Sequence, residues 1–195
     1  NLTLELKNQI EDNIRTHLGL IELSSNIIDI INIIKKKLKK GGKLLFCGNG
    51  GSAADAQHLA AEFIVRLRPH IDRNPIPALT LTQDTSTLTA CGNDYGFEDI
   101  FLRSFKAIAQ KNDVLICIST SGNSKNIIEV LKYAKKNRIK SIGFFGSDGG
   151  KAKNFCDNSL IVKSDNVARV QEAHIFLGHY ILEKVEDLLI KRREI

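Results

Sequence analysis

With 195 residues, 43% of them apolar and 26% charged, the chain fits one folded domain large enough for a sizeable core. Its net charge of +6 comes largely from runs at 35–40, 132–140 and 191–193, beside expected helix ends where cations oppose the helix dipole. Aromatics are only 6%, without the basic–aromatic interleaving of a nucleic-acid stacking surface. No apolar run approaches the ~20 residues of a membrane span, and the order of charge and apolarity is not that of a signal peptide. The expected setting is therefore the cytoplasm, with neither membrane nor nucleic acid as partner.

The first forty residues form a helical arm. Leu18, Ile21, Leu23, Ile27, Ile28, Ile31, Ile34 and Leu38 recur at three- and four-residue spacing, and Gly41-Gly42 supplies the stop. So long and apolar an arm is expected to pack on another subunit as well as on the body, residues 41–195. From there the pattern predicts strands at 43–47, 78–81, 114–118, 141–145 and 159–162, and helices at 52–66, 98–109, 125–137, 150–155 and 167–192. Apolar strands alternating with helices imply an α/β three-layer sandwich around a five-stranded parallel sheet, with right-handed crossovers. Ligands in such folds sit beyond the carboxyl ends of the strands.

Two loops fall on that edge. The first, GNGGSAADAQH over 48–58, brings glycines that let backbone approach a ligand, with Ser52 expected to cap the next helix. Alone it reads equally as a tight connection. On the following helix His58 and Glu62 lie four residues apart on one face. They are either an ordinary surface pair or a base, or half a metal site, in an apolar wall. The segment 82–93 is polar and threonine-rich, and Asn93-Asp94 reads as a turn that could hold sugar hydroxyls. The second loop ends DVLICISTSGNS, residues 113–124. An apolar strand runs into Ser119, Thr120, Ser121 and Ser124 at a helix N-terminus, where free amides and the helix dipole favour an anion. The loop has no lysine, so it is not the nucleotide-binding GxxxxGK[ST] pattern, and it suits one phosphate of a phosphorylated metabolite. In the last helix Gln171, His174 and His179 punctuate an apolar stretch. Gln171 and His179 are about 12 Å apart along a straight helix, so one site could use both through a bend or from two subunits. The four cysteines form no CxxC pair and read as small buried hydrophobes.

Taken together, GNGGSAADAQH with Glu62, GNDYGF, STSGNS and the RVQEAH…H helix resemble the SIS (sugar isomerase) domain family, in particular its phosphoheptose isomerase group. The resemblance spans nearly the whole chain and implies a flavodoxin-like SIS domain. It implies an aldose–ketose isomerase acting on sedoheptulose 7-phosphate through an enediol(ate), toward heptose for lipopolysaccharide or capsule. By the same resemblance Glu62 and His179 are the proton-transfer pair. Ser119, Thr120, Ser121 and Ser124 hold phosphate, and Asn49, Gly50, Gly51, Ser52, Asn93, Asp94 and Gln171 line the sugar. It further implies a homotetramer with sites between subunits and one zinc per subunit on His58, Glu62, Gln171 and His179. Ala168 departs from a carboxylate common in the group. Rival readings are a non-catalytic SIS protein that binds the replication initiator, an isomerase for another ketose phosphate, and a sugar-phosphate sensor.

Overall fold

A computed structural model describes residues 1–82 and 84–190. Its centre is a five-stranded parallel sheet in the order β2-β1-β3-β4-β5. The strands are β1 (Leu44–Gly48), β2 (Ala78–Thr80), β3 (Val114–Ser119), β4 (Lys140–Gly146) and β5 (Asn158–Val162). All side chains of β1 and β3 are buried, as continuous apolar runs in a sheet covered on both faces require. One face packs under α2 (Ser24–Leu38), α3 (Gly51–Ile64) and α7 (Val167–Ile190), the other under α4 (Thr85–Asp94), α5 (Ile100–Ile108) and α6 (Lys125–Lys136). The chain turns one way from β1 to β2 and the other way to β3, so the topological switch point lies between β1 and β3.

The arm is α1 (Leu2–Gly19), a 3-10 turn over Leu20–Leu23, and α2. Ile27, Ile30, Ile31 and Ile34 of α2 are buried on the body, whereas α1 buries no residue at all. The sole candidate span among the described residues lies in this arm, Leu2–Leu38, where one window has a mean hydropathy of 1.3. The 3-10 turn and the docking of α2 on the sheet argue for a packed arm rather than a span. One ion pair and one hydrogen bond join it to the body: Lys163 meets Glu22 at 2.9 Å, and Arg169 donates to the Gln9 carbonyl at 3.0 Å.

Three expectations need correction. The polar segment 82–93 contains α4, whose N-cap Asp84 accepts from the amides of Ser86 and Thr87. Asn93 and Asp94 are therefore the last residues of a helix, not a turn after β2. The expected helix at 150–155 is only a 3-10 turn, Ala152–Phe155. Ser52 is not a cap: α3 begins at Gly51, with Gly50 at φ +56° as its N-cap. The end of the last predicted helix, 191–192, lies outside the described residues.

Candidate functional site

The loops after β1 and β3 flank the switch point. Gly122, at φ +60°, turns the hydroxyl loop so tightly that a Cβ there would stand 2.1 Å from the Gly149 carbonyl oxygen. Ser119 is buried and its Oγ accepts from the Gly122 amide at 3.2 Å, so this hydroxyl shapes the loop. Ser121 Oγ likewise accepts from the Asn123 amide at 3.2 Å. Ser124 is the N-cap of α6 and makes no side-chain cap bond, which leaves its hydroxyl and the amides of Lys125 and Asn126 for an anion. Across the switch point Asn49 and Asn126 exchange two hydrogen bonds, Nδ2 to Oδ1, of 3.0 and 2.9 Å.

Gln171 of α7 closes over the first loop. A Cβ on Gly51 would lie 2.5 Å from the Gln171 Nε2, so a side chain there would push the Gln171 carboxamide aside. Asn93 donates to the Asp94 carboxylate at 2.8 Å at the exposed end of α4.

A second group forms farther along α3 and α7. His58 Nε2 stands 2.8 Å from His179 Nε2 and 3.6 Å from Glu62 Oε1. Glycine at 178 lets the helices meet, since a Cβ there would be 2.6 Å from Leu59. Burial, then the neighbouring His58, holds the His179 imidazole below its ordinary value, so it stays neutral at neutral pH. One turn before His58, the Asp55 carboxyl is raised by burial against the opposing pull of His58, and its Oδ2 has no hydrogen-bond partner. Gln171 does not join this group: it precedes His179 by about 12 Å of helix. Glu62 is itself about 16 Å along α3 from Gly51.

The donors suit a borderline metal such as zinc, two imidazoles and a carboxylate. Two nitrogens on one tetrahedral zinc lie about 3.4 Å apart, so His58 and His179 must separate by roughly half an ångström. Among the described residues no three His, Cys, Asp or Glu side chains already stand in a metal-holding arrangement. The fit is thus in chemistry and approximate placement, with the fourth expected ligand, Gln171, held elsewhere in the chain.

Three residues escaped the sequence reading. Asn126 and Asp55 each follow from helical spacing, one beside the hydroxyl loop and one three residues before His58. Arg73 carried no signal. Its buried side chain donates to the carbonyls of Glu62 and Phe63, both at 3.0 Å, and of Asn74 at 3.1 Å, and to Glu186 Oε1 at 2.5 Å. It thereby supplies donors to the carbonyls that end α3. No cysteine is poised as a nucleophile. Cys47 and Cys117 are buried with their sulfurs 3.4 Å apart, burial raises the Cys117 thiol, and the Cys156 thiol is pushed up to about 12.

Comparison with known proteins places the chain in a family. The SIS domain family matches residues 11–146. A phosphoheptose isomerase of Campylobacter concisus is 46% identical over 93% of this chain and 95% of its own length. One from Clostridium acetobutylicum is 52% identical over 84% and 82%. The structure of a phosphoheptose isomerase from Neisseria gonorrhoeae superposes with a TM-score of 0.89 at 38% identity, covering 96% of this chain and all of that one.

Proposed function

Since this chain belongs to the SIS domain family and, within it, to the phosphoheptose isomerases, we propose that it is an aldose–ketose isomerase. It interconverts D-sedoheptulose 7-phosphate and D-glycero-D-manno-heptose 7-phosphate, feeding heptose synthesis. The observation that carries the reading is the Glu62–His58–His179 group, an acid–base set on the same chain as a hydroxyl-lined helix N-terminus. A binding protein or sensor needs the anion seat but not that set.

Thr120, Ser121 and Ser124, with Ser119 shaping the loop, hold the phosphate. Asn49, Gly50, Gly51, Ser52, Asn93, Asp94 and Gln171 contact the sugar. The Glu62 carboxylate removes the proton from the carbon next to the carbonyl and returns it to the former carbonyl carbon. The neutral His179 imidazole donates to the enediol(ate) oxygen and accepts the proton of the other hydroxyl, so no proton is lost or gained overall. His58, Glu62 and His179 of one subunit, with the Gln171 that a neighbouring copy brings, would hold one zinc per site, which when bound would polarise a carbonyl oxygen.

The site is shared between subunits of a homotetramer. A seven-carbon chain cannot bridge about 16 Å along α3 from loop to carboxylate, so the loops of one subunit serve the acid–base group of its neighbour. Leu4, Leu6, Ile10 and Ile14 on α1, with Phe176 and Tyr180 beside His179, are exposed and supply the apolar contact such an assembly needs. The site is expected to work in the cytoplasm. Turnover of sedoheptulose 7-phosphate by the purified protein, lost in Glu62→Gln, tests the reading. No turnover with or without added zinc would refute it and favour the non-catalytic alternative.

A further inference from the structure

We propose that Asn126 is a positioning residue that sets which way the Asn49 carboxamide faces at the switch point. The proposal rests on the reading above, in which Asn49 touches the sugar. A carboxamide has one oxygen with two lone pairs and one nitrogen with two hydrogens, and its orientation follows from its partners. Asn126 is 2% exposed and sits at the second residue of α6. Its Oδ1 accepts from the Ile127 amide at 2.9 Å, a first-turn N–H that has no partner within the helix. That bond admits one orientation of the amide, because a flipped Asn126 would turn an NH2 toward an N–H. With Oδ1 fixed, the same oxygen takes the Asn49 Nδ2 at 3.0 Å, and Asn126 Nδ2 must donate to Asn49 Oδ1, which it does at 2.9 Å.

The chain of constraint runs from a backbone N–H of α6, through Asn126, to Asn49. Both lone pairs of Asn126 Oδ1 are then occupied. Asn49 retains one N–H and one lone pair, and being half-buried at the mouth of the first loop it can offer them to a ligand. The pair also ties the loop after β1 to the N-terminus of α6, so the sugar-facing and phosphate-facing backbones share one register. Burying two carboxamides beside apolar strands costs free energy unless each is bonded, and the reciprocal pair meets that need only with both residues amides in this orientation.

The test is a cycle of Asn49→Ala, Asn126→Ala and the double variant, with kcat and KM for sedoheptulose 7-phosphate and the Asn49 side-chain amide resonances of the full chain. Asn126→Ala should lower kcat/KM by about 10- to 100-fold, as misplacement of a substrate contact does, and the double variant should be no worse than Asn49→Ala. The Asn49 NH2 resonances should shift in Asn126→Ala. Asn126→Asp keeps both acceptor roles but cannot donate to Asn49 Oδ1, so it should also lose activity. It guards against a misfolded alanine variant. Multiplying losses in the double variant, or unmoved Asn49 resonances, would overturn the proposal. Full activity in Asn49→Ala would overturn it too, by removing the sugar contact on which it stands, while Glu62→Gln would still report separately on the isomerase reading.

Discussion

Removing the Glu186 carboxylate should destabilise this protein more than any surface change, because it leaves charge in the interior. Glu186 and the Arg73 side chain are fully buried and meet at 2.5 Å, and Arg68 adds a second contact at 2.6 Å. Arg68 keeps a partner in Asp187 at 2.7 Å, so Glu186→Ala strands chiefly the Arg73 guanidinium. Breaking one side of such a buried pair costs about 3–5 kcal/mol. At about 2–4 °C per kcal/mol for a chain of this size, Tm should fall by roughly 6–20 °C. Replacing both partners by apolar residues, as in Arg73→Met with Glu186→Leu, removes the stranded charge and should recover part of the loss. Recovery stays incomplete, because the carbonyls of Glu62 and Asn74 then lose the Arg73 donor and that of Phe63 keeps only the Ile76 amide. Calorimetry at one fixed protein concentration measures both variants, since assembly would otherwise shift Tm. A fall below about 1 kcal/mol for Glu186→Ala would show that Arg73 finds water or another partner, and the account of a dry, closed network would be wrong.

Other outcomes follow from the same structure. His174 is fully buried against Phe144, and neither ring nitrogen has a partner at bonding geometry. Burial lowers its imidazole to about 4, with the Phe145 backbone offsetting part of that. The unfolded chain takes up a proton near pH 6.5 and the folded one does not, so stability should fall by about 3 kcal/mol between pH 6.5 and 4 and level off below; His174→Leu should flatten that slope in urea titrations. The thiols of Cys117 and Cys156 should resist a thiol reagent at pH 8 in the native protein and react on unfolding, and fast native labelling would contradict their burial. Glu62 and His179 both meet His58 within one chain, so mixing Glu62→Gln with His179→Gln should restore nothing. Mixing Glu62→Gln with Gln171→Ala should recover about a quarter of wild-type turnover if sites are shared, and recovery of none would confine the site to one subunit.

How much could be read from residues alone depended on the range of the interaction. The strands were placed to within two residues, because a strand buried on both faces is an unbroken apolar run bounded by polar turns. The hydroxyl loop was equally plain, since strand, serines and helix are consecutive. Helix α4 was not, because the five threonines in residues 80–89 favour extended structure and only the Asp84 cap signals a helix. The meeting of His58 with His179 depends on α3 packing against α7 across Gly178, 121 residues away, which no local pattern reports. The Arg73–Glu186 contact and the Asn49–Asn126 pair likewise exist only once the order of strands and helices is known.

The docking of the arm on α7 bears on how the chain is made. Asn13 donates to the Glu172 carboxylate at 2.6 Å, across 159 residues, and α2 packs more against α7 than against any strand. A ribosome releases the arm before the sheet and α7 after it. During synthesis the isoleucine face of α2 therefore waits, only partly covered by the sheet, until the closing helix emerges. Such long-range closure makes folding slow and leaves a sticky intermediate. Production of this protein should depend on chaperone supply and temperature more than its finished stability would suggest.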